Sequence, residues 1–138
     1  MMPATYEAAL LALRSYQAAK SDNVDELLCI ACVFRNRVMK YGKTYSQILE
    51  AAELNRGWPD VRHPALIDPQ NGLLSQVEAI YRNETPDMTS NHLFRDGALW
   101  FGRAQDHQNT GDLFERTILQ DPYNHPLIGQ FGSQQFYV

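Results

Sequence analysis

The feature that most constrains the fold is a helical apolar period through residues 23–41. Leu27, Ile30, Ala31, Phe34 and Val38 recur at i, i+3, i+4, i+7 and i+11. This spacing draws one apolar stripe along a helix and demands a partner surface to cover it. Asp22 is placed to cap that helix, and Asp25 and Glu26 stand in its first turn, where negative charge suits the helix dipole. Lys40 stands in the last turn and Gly42 follows as a C′ residue. The same helical stretch also contains Cys29 and Cys32 in C-x-x-C spacing, which redox pairs and half zinc sites share. The residues between them, Ile30 and Ala31, are apolar, and His63, His92, His107 and His125 show no partner spacing. The two thiols are therefore read as small buried core side chains.

Three further segments carry the same period. Residues 5–20 form a first helix with Thr5 as its N-cap and Tyr6, Leu10, Leu13 and Gln17 on one face. Residues 45–54 form a third, opened by the T-x-x-Q capping box of Thr44 and Gln47. Residues 55–67 hold Gly57, Pro59 and Pro64 and read as a loop. A fourth helix starts at Asp68 and Pro69 and carries Leu73, Leu74, Val77, Ile80 and Tyr81. The last third changes character. Residues 97–102, G-A-L-W-F-G, read as a buried strand or tight core segment, and 112–120 as a short helix or a strand. Residues 127–138 read as strand, glycine-containing turn, strand. The pattern predicts an α+β fold, mainly helical, with residues 1–138 forming a single compact domain that ends in a small β element.

Composition excludes several classes. A chain of 138 residues is one domain long, and 44% hydrophobic with 20% charged residues is ordinary for a globular protein rather than a disordered one. No apolar run approaches the ~18 residues of a membrane span. The net charge is −4, and nine arginines and three lysines are scattered along the chain, giving neither a nucleic-acid groove nor an anionic-membrane patch. No G-x-G-x-x-G, P-loop or H-E-x-x-H is present, so no cofactor or metal is expected. The pairs Asp106-His107 and Asn124-His125 have no nucleophilic serine or cysteine in matching context. The N-terminal residues lack a basic n-region and an apolar h-region, so they are not read as a secretory signal.

Four blocks, in order, carry a resemblance. Residues 28–38, L-C-I-A-C-V-F-R-N-R-V, resemble the A-V-A-x-V-x-x-N-R-V helix of the SleB-like cell wall hydrolases, a lysozyme-like family. Residues 45–49, Y-S-Q-I-L, resemble the Y/F-x-x-V/I-L segment that follows, and Gly97-Ala98-Leu99-Trp100-Phe101 its G-A-x-Y-F block. Ile128-Gly129 with Phe136-Tyr137 resemble the closing I-G-x-H-x-F-Y. The resemblance spans nearly the whole chain. It implies a compact, mostly α lysozyme-like fold acting on peptidoglycan glycan strands, with a glutamate near the end of the first helix as general acid. Glycoside cleavage needs a protonated carboxyl, its pKa raised by a poorly solvated site, beside the scissile oxygen.

That glutamate is missing. The family's E-A-x-G-E places its second acidic residue on Asp22 and its first on Ala18, or on Gln17 with one inserted residue. No carboxylate occurs between Ala8 and Ser21. Glu7 lies roughly 15 Å upstream at 1.5 Å per residue. Two readings stay open: hydrolysis is lost or weak while a glutamine at the acid position still binds sugar, or Asp22, Asp25 or Glu26 serves as a relocated acid. Tyr16, Trp58, Tyr81, Trp100 and Phe101 are the aromatic candidates for stacking on sugar. Arg37 is expected to hold its helix to a neighbouring carboxylate. The partners expected are peptidoglycan glycan strands or, for a non-catalytic structural component on the same fold, proteins of a larger assembly such as a phage particle or secretion apparatus. Release by lysis or carriage in a virion is the expected route to the wall.

Overall fold

The computed structural model describes residues 2–19, 24–51, 73–82 and 97–138. Helices α1 (Met2–Ala18), α2 (Val24–Tyr41), α3 (Tyr45–Ala51) and α4 (Leu73–Tyr81) precede a three-stranded sheet of β1 (Trp100–Gly102), β2 (Leu127–Phe131) and β3 (Gln134–Tyr137). Between β1 and β2 lie the one-turn helix α5 (Ala104–His107) and a π-helical segment, Glu115–Leu119. The protein is thus mainly helical with a small antiparallel sheet, as the sequence predicts. Among the described residues, no helix is long and apolar enough to cross a membrane.

α2 is the centre. The predicted stripe understates it, because every residue from Glu26 to Phe34 is buried, including Leu28, Cys29, Cys32 and Val33, which lie off the stripe. A helix apolar all round needs cover on all sides, and α2 is flanked by α1, α3, α4, β1 and β2. Cys29 and Cys32 are fully buried, and neither forms a disulfide. Burial, reinforced by the neighbouring Cys29, pushes the Cys32 thiol well above its ordinary value. The helix stops where expected, since Gly42 takes φ +64° and its amide donates to the Val38 carbonyl.

The α1 start differs from the expectation. The helix begins at Met2, so Thr5 lies within it and is not its cap. Pro3 has no N–H to lose in a first turn, so it extends the helix back past Thr5. The Thr44–Gln47 capping box is present, with the Gln47 amide donating to Thr44 Oγ1 at 3.1 Å and the Thr44 amide to Gln47 Oε1 at 3.0 Å. The caps Asp22 and Asp68, Pro69, the 55–67 loop and the side chains of Tyr6, Leu73 and Leu74 lie outside the described residues.

The sheet runs β1-β3-β2, antiparallel throughout. The two readings of residues 97–102 merge: Ala98 is core, and Trp100 begins an edge strand paired with Tyr137, with Phe101 opposite Phe136. Residues 127–138 form the predicted hairpin, turning at Gly132 (φ +64°) with a bulge between Leu127 and Gly129. The central strand is the most buried, and Phe136 is fully enclosed. Phe34, Phe101, Phe136 and Phe131 form a chain of rings with centroids 5.9–6.2 Å apart, joining α2 to the sheet.

Two hydrogen bonds fasten the far end of α2 to the chain entering β1. Buried Asn36 donates from Nδ2 to the Ala98 carbonyl at 2.9 Å, and Arg37 Nε donates to the Leu99 carbonyl at 2.8 Å. Asn36→Ala leaves a buried carbonyl without its donor. It is expected to lower stability by about 1–3 kcal/mol, read as a fall in urea midpoint at unchanged m-value.

Candidate functional site

The position where the resemblance expects an acid lies at the end of α1, and no carboxylate occupies it. Gln17 is buried, 3% exposed, and its Oε1 accepts from Arg14 Nη1 at 2.7 Å. Ala18 is buried and its carbonyl accepts from Gln134 Nε2 at 3.1 Å. Tyr16 is half-buried and packs against the core. Asp22, the alternative acid, and Trp58 lie outside the described residues.

The carboxylate nearest to this point through hydrogen bonds is Glu26. The Gln134 amide that reaches Ala18 also donates to Glu26 Oε2 at 3.1 Å. Ser133 donates both its amide and its hydroxyl to Glu26 Oε1 at 2.7 Å. Glu26 is fully buried. The sequence places it as a first-turn partner of the dipole; it lies in that turn, and the fold also closes the β2–β3 turn over it. Gly132 makes this fit possible, because a Cβ there would stand 2.7 Å from Glu26 Cβ. Three donors converging on two oxygens match an acceptor-only carboxylate. Such a group holds the hairpin onto α2 and presents no proton to a substrate. Asp25, in the same turn, is exposed.

A second carboxylate, Glu7, faces α3 and α4. Its Oε2 accepts from the Ser46 amide and hydroxyl, both at 2.9 Å, and its Oε1 from the Tyr81 hydroxyl at 3.1 Å. Partial burial works against the charged form, but these bonds outweigh it and hold the carboxyl below its ordinary value. The Tyr81 ring lies 4.7 Å from that of Tyr45. Tyr81 thus serves a polar cluster at the α3 start.

Trp100 sits elsewhere. Its ring lies over the Arg37 guanidinium at 5.5 Å and meets His125 edge-on at 6.2 Å. The carboxylate expected beside Arg37 is not its partner among the described residues. The guanidinium lies 5.5–5.7 Å from the rings of Trp100, Phe34 and Phe101, an arrangement favourable for a weakly hydrated cation. Burial lowers its pKa, with Tyr41 opposing. Among the described residues, Tyr81 and Trp100 share no partner.

An open cleft of about 390 Å³ lies between the π-helical segment and the sheet. Gln108, Glu115, Gln120, His125, Leu127 and Tyr137 contribute to its walls. π-helical turns are rare and recur at functional sites. This one starts at a reciprocal cap. The Glu115 amide donates to Asp112 Oδ1 at 2.8 Å, while its carboxylate accepts from the amides of Gly111 (2.9 Å) and Asn109, a residue at φ +61°. His107 pairs with Asp112 at 2.7 Å rather than with its chain neighbour Asp106, which pairs with Arg103 at 2.6 Å. The Glu115 amide, then the His107 ring, hold the Asp112 carboxyl below its ordinary range. His125 Nδ1 donates to the Val138 carbonyl at 2.8 Å, and Asn124 bonds Asp121 instead. The sequence marks His125, and Tyr137 only as part of the closing F-Y block, but not Glu115. The D-x-x-E spacing of Asp112 and Glu115 is a capping signal that points to Glu115.

Comparison with protein-family models, with curated proteins and with solved structures finds no match. Among the described residues, no group of three or more His, Cys, Asp or Glu side chains is arranged to hold a metal ion.

Two outcomes test these assignments. Glu26→Gln puts an amide NH₂ among donors and is expected to lower stability by about 2–3 kcal/mol. Gly132→Ala is expected to cost at least about 1–2 kcal/mol from the left-handed backbone alone; both are read by urea denaturation. Glu7, with its native pKa lowered, contributes stability above the ordinary glutamate range that disappears as pH falls through the lower native value. Glu7→Gln is expected to flatten that acid limb of the Tm-against-pH curve and to leave the rest of the curve's shape unchanged.

Proposed function

We propose that the chain is a lysozyme-like domain that engages peptidoglycan glycan strands and does not cleave them. The observation that carries this reading is Gln17, an amide held by Arg14 in a buried position where the resembled hydrolases place their acid. A glutamine cannot supply the proton that glycoside cleavage needs, and this one is committed inside the fold. Glu26 does not replace it, because its oxygens face Ser133 and Gln134 inside the fold.

The glycan half of the reading rests on how the motif blocks lie in the fold. Asn36 and Arg37 of the N-R-V block hydrogen-bond the backbone of the G-A-L-W-F block, whose Trp100 and Phe101 pair with Tyr137 and Phe136 of the closing F-Y block. Blocks that interlock physically support one inherited unit over three chance matches.

The test is co-sedimentation with purified peptidoglycan, run beside an assay for released reducing sugar. The wild type is expected to sediment with the wall and to release no sugar. Release of sugar that is lost in Glu26→Gln, with folding intact, overturns the non-catalytic half. Failure to sediment overturns the glycan half.

A further inference from the structure

Resting on the glycan reading, we propose that the cleft between the π-helical segment and the sheet is a subsite for an uncharged, N-acetylated sugar ring. Its volume, about 390 Å³, lies at the small end of the roughly 300–1,000 Å³ usual for ligand pockets. Among the described residues no lysine or arginine lines it, and Glu115 is the one carboxylate. An anionic ligand would face that carboxylate, with His125 as the one described lining side chain able to carry positive charge. A neutral ligand with N–H or O–H donors finds an acceptor there: each Glu115 oxygen takes one backbone amide, from Gly111 or Asn109, and retains a lone pair.

The other polar groups suit the same ligand. The Tyr137 hydroxyl makes no hydrogen bond to a described residue, although the residue is only 7% exposed. Burial raises its pKa, so it stays protonated and can both donate and accept. His125 uses Nδ1–H on the Val138 carbonyl, which leaves Nε2 an acceptor in the neutral ring. Gln108 and Gln120 add amides of both kinds. The apolar part of the wall comes from Ala104, Ile118, Leu119, Pro122 and Leu127, the last of them 57% exposed. A pyranose combines this polarity pattern in one molecule, with hydroxyls and an acetamido N–H around its edge and apolar C–H faces. The cleft shares no lining residue with the end of α1, so a sugar bound here does not depend on Gln17.

The experiment is an amide-resolved NMR titration with the β-1,4-linked tetramer of N-acetylglucosamine, alongside the sedimentation assay. The expected result is saturable shifts centred on Gln108, Gln120, His125 and Tyr137. Tyr137→Phe keeps the ring against Phe114 and removes only the hydroxyl; Leu127→Ser alters a lining side chain that is 57% exposed. Each is expected to weaken binding by about three- to tenfold with an otherwise native spectrum. Shifts centred on Gln17 or Tyr81, in a protein that still sediments with peptidoglycan, overturn the cleft and leave the glycan reading standing. Tighter binding of the deacetylated, cationic tetramer overturns the uncharged class. Absence of both shifts and sedimentation overturns the cleft and the glycan reading together. If both variants lose their native spectra, the location of the wild-type shifts decides between these outcomes.

Discussion

The structure depends on the complete burial of α2. A helix with one apolar stripe can lie at a surface, but the run from Leu27 to Phe34 has no solvent side at all. Everything else is placed by the need to cover it: three helices on its flanks and the sheet against the remainder. Each large apolar side chain removed from water contributes about 1.5–3 kcal/mol, so eight consecutive buried positions make this helix the largest continuous source of stability among the described residues.

Apolar cover alone would leave the sheet free to slide along the helix. Polar groups at the two ends of the buried run fix it. Glu26 captures the β2–β3 turn through Ser133 and Gln134, and ten residues later Asn36 and Arg37 capture the backbone just before β1 at Ala98 and Leu99. Ten residues of helix span roughly 15 Å. A buried polar group without its partner is costly, so each contact tolerates little displacement, and two contacts that far apart set both position and direction. Specificity of packing here comes from a few satisfied polar groups within an otherwise unspecific apolar surface.

This division explains what the sequence made legible. Local chemistry was readable: the α2 period, the Thr44–Gln47 box, the Gly42 stop and the Gly132 hairpin each depend on residues close together in the chain. The Thr5 cap failed because a proline in a first turn costs nothing there, so Pro3 did not mark the boundary. Glu26 was legible only in part, for a different reason. Its position in a first turn suggests the dipole, and its partners Ser133 and Gln134 are more than a hundred residues away. Arg37 failed for the same reason: charge predicts a carboxylate, but the side chain is surrounded by rings brought together by strand pairing. The cleft was invisible because its walls come from separate segments between Ala104 and Tyr137 and exist only once the sheet has formed.

The candidate chemistry is governed by the same separation of polar groups. A glycosidase needs one carboxyl that is both poorly solvated and in contact with substrate. Glu26 is desolvated but enclosed, with its oxygens committed to the hairpin, whereas Glu7 is held in its charged form by Ser46 and Tyr81. Glu115 comes closest, being buried at a cleft wall, but its two oxygens already organise the turn that begins the π-helical segment. A carboxylate fixed by backbone amides is a good acceptor for a ligand's hydroxyl or N–H and a poor donor of a proton. Glu7, Glu26 and Glu115 thus serve as acceptors that fix neighbouring segments of the fold.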